Sequence, residues 1–163
     1  MEQTVERHTQ RLQVVCGAML ASLAVYGVAV FALRLPVKPA FPQAETLLWG
    51  FAFLAAVNLV TIMPVYRVML AAPRRVYVVG QQPDRLLAAH FAAHVVAFAR
   101  IEAVAILGLV LFFLSGHLDW FIIFTGVAAG GMVVLWPRRA KAAALLEVPG
   151  QAQPVTTSPR DAA

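Results

Sequence analysis

The sequence predicts an all-α integral membrane protein, a four-helix transmembrane bundle over residues 1–147 with both termini cytoplasmic. Three observations predict it. Of 163 residues, 61% are hydrophobic and only 13% charged, and mean hydropathy is +0.76; a soluble domain carries about a quarter charged residues. Four apolar runs, at about 12–33, 46–66, 86–115 and 120–136, match the ~17–25 residues that cross a bilayer as a helix, or exceed them. Basic residues crowd alternate flanks of these runs, the pattern that orients membrane helices.

The first run, Leu12 to Leu33, holds 22 residues without a charge. A cleaved leader has an apolar core of roughly 7–15 residues, so a retained helix is expected. Arg7 and Arg11 precede it. Cys16, the single cysteine, excludes an internal disulfide and reads as a small buried hydrophobe. Gly17/Ala21 and Ala18/Ser22 place small residues one turn apart, where a neighbouring helix can approach. The connector Arg34 to Glu45 carries Pro36, Pro39 and Pro42, the three-residue period of polyproline II, and predicts a stiff extended spacer.

The second run, Thr46 to Tyr66, has Trp49 at one interface and Tyr66 with Arg67 at the other. Asn58 and Thr61 share a face at mid-span and can bond a neighbouring helix. Pro64 lacks an N–H, which predicts a kink and a freed carbonyl. Arg67 to Arg85 reads as a basic loop containing Arg67, Arg74 and Arg75. It ends in a turn at Gly80-Gln-Gln-Pro-Asp84, with Asp84 near the start of the next helix. The fourth run, Trp120 to Trp136, has a tryptophan at each end. It contains Gly126-Val-Ala-Ala-Gly130, a GxxxG motif that favours close helix packing within the bundle or between protomers. Ala140 to Leu146 reads as a short interfacial helix, and the polar tail 148–163 as disordered.

Flanking charges set the topology. With both termini and the Arg67–Arg85 segment inside, nine basic residues (Arg7, Arg11, Arg67, Arg74, Arg75, Arg85, Arg138, Arg139 and Lys141) face the cytoplasm, against Arg34 and Lys38 outside. The expected location is the cell (inner) membrane, multi-pass, with N and C termini inside. The formal charge of +5 therefore serves topology, and a nucleic-acid partner is not implied.

The chemistry concentrates in the third run, the organising stretch of the chain. As a helix, Leu86 to Ser115 is about 45 Å long against ~30 Å of hydrocarbon, so it tilts or protrudes. Protrusion on the cytoplasmic side puts His90 and His94 near the headgroups and leaves Val96 to Ser115 in the lipid core. Arg100 then lies one turn in, where its long side chain can snorkel. Glu102 is shorter and deeper. The two are about 200° apart on the helix and cannot pair, so each needs a partner elsewhere. For Glu102 the expected partners are Asn58 and Thr61. A carboxyl with only neutral partners there favours its protonated form. It is either a register-fixing hydrogen bond or a proton- or cation-handling group.

His90 and His94, at i and i+4, share a face that can chelate a metal only with a third ligand. His8 is on the same side of the membrane; His117 is on the other. No further Cys, His or acidic cluster supports a centre, so polar interfacial histidines are expected, with no metal and no cofactor. Haem is disfavoured because one helix cannot supply both axial ligands. No phosphate loop, nucleophile elbow or HExxH motif occurs, so nothing points to an enzyme.

One local resemblance exists. Gly80-Gln-Gln-Pro-Asp84, then a helix with Glu102 and Ala103-Val-Ala-Ile-Leu-Gly108, is similar to the proteolipid ring subunit of rotary ATP synthases, which has a polar loop followed by a helix with an ion-carrying carboxylate. The resemblance covers residues 80–116 and implies that Glu102 matches that carboxylate and Gln82-Pro83 the end of the loop. The preceding span lacks the family's glycine-rich repeat, and Arg100 has no counterpart there. The sequence therefore supports two functions: a structural or accessory subunit of a membrane assembly, partnered by lipid and by membrane proteins or copies of itself, or a proton, cation or small-solute translocator using Glu102.

Overall fold

The computed structural model describes residues 2–32, 44–80 and 83–146. The proline-rich connector as far as residue 43, the Gln81–Gln82 step and the tail from 147 lie outside the described residues. Among the described residues six helices follow one another: α1 (Glu2–Ala32), α2 (Ala44–Val60), α3 (Ile62–Gly80), α4 (Pro83–Ser115), α5 (Leu118–Val134) and α6 (Arg139–Leu146). No strand occurs among the described residues. Three stretches are long and apolar enough to cross a membrane: Gln3–Ala32, Glu45–Tyr77 and Pro83–Ser115. α5 is apolar but shorter, at 17 residues.

α4 is the hub, packing against α1, α2, α3 and α5. Its 33 residues contain no internal proline. Pro83 occupies the first helical position, where its missing N–H costs nothing, and Asp84 meets the positive end of the helix dipole. The helix stops at Gly116, whose φ of 74° is open to glycine and strained for other residues. Its N–H closes the last turn on Phe112 O at 2.8 Å. The inner faces of α4 supply Phe98, Ile101, Val104, Ala105 and Leu111, all buried, which pack with Leu12, Cys16 and Leu23 of α1, Ala55 of α2 and Phe124, Ala128 and Met132 of α5. In lipid such contacts are driven by close packing, because hydrocarbon solvates leucine as well as protein does.

The basic loop expected at Arg67–Arg85 is instead helical as far as Gly80. Tyr66, Met69, Leu70 and Tyr77 recur at helical spacing and pack on Leu86, Ala93, Leu145 and Leu146, while Arg67, Arg74 and Arg75 stay exposed. Burial of that face outweighs Pro73, which sits inside the helix. α2 and α3 are separated only at Thr61, and backbone bonds continue on both sides of it: Thr61 N to Val57 O and Val65 N to Thr61 O, each 3.1 Å. Pro64, three residues on, leaves the Val60 carbonyl without its i+4 donor, which explains the interruption.

α6 is tacked to the rest at three points. Tyr77 donates to Leu146 O at 2.9 Å, Gln13 donates to Pro137 O at 3.2 Å just before the helix, and Arg139 pairs with Glu6 at 3.1 Å. Both members of the ion pair are largely exposed, so it adds little. These contacts gather the start of α1, the end of α3, the start of α4 and α6 at one end of the molecule, and with them Arg7, Arg11, Arg74, Arg75, Arg85, Arg138 and Arg139.

Close helix approach is found away from the GxxxG pair. A Cβ added at Gly108 of α4 would lie 2.5 Å from Phe124 Cβ and 3.6 Å from Phe121 Cα on α5, and one at Gly131 would lie 3.5 Å from Ile101. Gly126 and Gly130 are exposed, with nothing within 4 Å of a built Cβ. Within the described residues, the motif points away from the protomer.

Candidate functional site

Glu102 and Arg100 project from opposite sides of α4, and each meets a different helix. Glu102 Oε1 accepts from Ser22 Oγ at 2.6 Å and from Tyr26 OH at 2.8 Å, both on α1. Ser22 and Tyr26 are i and i+4 and so share one helix face. Ser22 Oγ also lies 2.6 Å from the Met19 carbonyl. The carboxyl is partly buried, in a cluster of neutral oxygens.

The expected Asn58 and Thr61 partners belong to Arg100 instead. Its Nε donates to Asn58 Oδ1 at 3.4 Å and its Nη1 to Thr61 O at 3.5 Å, long contacts at the weak end of hydrogen bonding. Asn58 Nδ2 donates back to Leu54 O at 3.2 Å, which turns its Oδ1 toward the arginine. The reason is angular: the ~200° between positions 100 and 102 sends one side chain to the α2–α3 junction and the other to α1. Arg100 thus ties α4 to that junction beside the proline-induced interruption, and Glu102 ties α4 to α1.

Two turns nearer the start of α4, the histidines form a second polar cluster. Both are buried: His90 is 3% and His94 7% exposed. His8 of α1 covers one side, with its Nε2 3.2 Å from His90 Nδ1 and ring centroids 5.4 Å apart. Tyr66 of α3 covers the other, its hydroxyl 3.1 Å from His94 Nδ1. The His90 and His94 rings lie 4.3 Å apart, and His94 Nδ1 is also 3.2 Å from His90 O. α1 extends ahead of its apolar run and carries His8, and Tyr66 ends the second run, so both helices flank α4 at the histidines.

In this arrangement His8 and His90 meet through ring nitrogens. Among the described residues no group of three or more His, Cys, Asp or Glu is disposed to hold a metal ion. The cluster instead joins three helices through hydrogen bonds and ring contacts. Tyr66→Phe, which removes only the hydroxyl, is expected to destabilise the protein by about 0.6 kcal/mol, the average for interhelical hydrogen bonds in membranes. Equilibrium unfolding in mixed micelles would measure this.

Cys16 is fully buried with no disulfide, packed as an ordinary core residue. Sequence reasoning missed Ser22 and Tyr26 as carboxyl partners and Tyr66 as a histidine partner. The available signal was the i, i+4 spacing of Ser22 and Tyr26, two hydroxyls on one face of an otherwise apolar run. No family model matches this sequence, and no curated protein or solved structure is significantly similar to it.

Proposed function

We propose that the protein is a four-span membrane bundle, with both termini on the cytoplasmic side of the cell membrane, serving as a structural or accessory subunit of a membrane assembly. The observation that carries this reading is the outward face of α5. Gly126 and Gly130 flank exposed Val127, and Ile122, Ile123, Val133 and Val134 are exposed with them. Two glycines on a lipid-facing surface forgo side-chain contact and offer a groove into which another helix can pack closely. The gathering of basic residues at one end supports the topology, because that end is retained on the cytoplasmic side. Interior polar groups join helices to one another, which suits a scaffold. A photoreactive amino acid at Val127 tests the reading in native membranes: a protein adduct is expected, and adducts with lipid alone contradict it.

One observation favours a second reading, proton or cation translocation at Glu102. Ser22 has one hydroxyl proton for two oxygens at 2.6 Å, Met19 O and Glu102 Oε1. Ser22 and Tyr26 thus place two hydroxyl protons against the same carboxylate oxygen, and Ser22 shares its own with Met19 O. A carboxyl that gains and loses a proton there is a carrier. On this reading Glu102→Gln abolishes proton flux in reconstituted vesicles with folding intact, and a hydrophobic carbodiimide labels the native protein but not the variant. Flux that is absent from the native protein, or unchanged in the variant, removes this reading.

A further inference from the structure

An open groove of about 1040 Å³ runs between the start of α1 and the start of α4, at the upper end of the range for small-molecule pockets. Its two walls change polarity in the same direction. On α1, Arg7 and Arg11 are followed on the same face by Val14 and Val15; on α4, Asp84 is followed by Leu87 and Phe91. Arg11 immediately precedes the uncharged run Leu12–Leu33, which sets the two guanidinium groups at headgroup depth and the apolar floor at acyl-chain depth. Both arginines are exposed, and neither forms an ion pair among the described residues, where the only such pair joins Arg139 and Glu6. With Asp84 they leave one net positive charge, complementary to a single phosphodiester.

We propose that this groove is a binding site for an anionic glycerophospholipid of the cytoplasmic leaflet. Arg7 and Arg11 hold the phosphate, while Val14, Val15, Leu87 and Phe91 hold the first part of the acyl chains. Basic pockets between membrane helices on the cytoplasmic side recognise lipid headgroups in this way. The order of groups along each wall, charged and then apolar toward the bilayer centre, is the order within the lipid. A soluble phosphate would use the arginines and leave the floor empty.

Native mass spectrometry of the delipidated full-length protein in neutral detergent tests the site, with phosphatidylglycerol, phosphatidylcholine and glycerol phosphate as probes. One phosphatidylglycerol per protein is expected, with no matching adduct for phosphatidylcholine and no binding of glycerol phosphate at the same concentration. The double variant R7Q/R11Q should weaken phosphatidylglycerol roughly thirtyfold, since each arginine near an anionic lipid contributes about fivefold. Ala88→Trp, which fills the groove from an exposed position and keeps both arginines, should also abolish the adduct. It carries the test should the arginine variant fail to fold. Equal retention of phosphatidylcholine, binding of glycerol phosphate as tight as the lipid, or an unchanged adduct in either folded variant overturns the proposal.

Discussion

Replacing Gly108 with alanine is expected to destabilise the protein by about 1–3 kcal/mol, the usual cost of adding a methyl to a filled interface. The added Cβ meets Phe124 Cβ at 2.5 Å and Cγ at 3.3 Å. Phe124 Cβ is fixed to the α5 backbone, so no rotamer change relieves the clash and the two helices must separate. That separation would disturb the contacts of Ile101, Leu111, Ala128 and Met132 in the same core. Gly130→Ala is the control, because its Cβ meets nothing within 4 Å. Equilibrium unfolding in mixed micelles should therefore separate two glycine-to-alanine changes on adjoining helices, one costly and one near neutral.

The second large effect falls on association rather than folding. Gly126→Leu together with Gly130→Leu is expected to leave helix content and protomer stability unchanged, since both positions face outward. The same pair should fill the surface into which a neighbouring helix packs and weaken association by at least about tenfold, or about 1.4 kcal/mol. Circular dichroism with denaturant reads helix content and stability, and sedimentation in density-matched detergent reads association. Loss of the protomer fold would mean that the face is internal, which the open space around each glycine argues against.

How much of this was legible in the sequence depends on whether a feature is local. α4 was legible as the hub because it is long, apolar and free of internal proline, and its charged residues demanded partners. The opposed directions of Arg100 and Glu102 followed from helix geometry alone. Which helix each would meet did not follow. Two polar pairs, Ser22 with Tyr26 and Asn58 with Thr61, sat on different runs at usable depth, and only the packing of α1 and α2–α3 around α4 decides between them.

The extension of α3 was missed for another reason. Arg67, Arg74, Arg75 and Pro73 all read as loop chemistry. The competing signal, Tyr66, Met69, Leu70 and Tyr77 on one face, gains its weight only from the surface of α4 and α6 that it covers. His90 and His94 are also buried. Tyr66, at the end of the second run, and His8, ahead of the first, flank them. For the GxxxG motif, the sequence left packing within or between protomers open, and the structure turns Gly126 and Gly130 outward while Gly108 and Gly131 provide the internal close contacts.

The central proposal, that the outward face of α5 is an assembly surface, is tested most directly by the mass of the native protein solubilised in a mild detergent and corrected for bound detergent. The expected result is a defined homo-oligomer or a stoichiometric complex with a co-purifying membrane protein, reduced to the protomer by Gly126→Leu with Gly130→Leu. A strict monomer with no partner, in the same detergent and before any substitution, would contradict it.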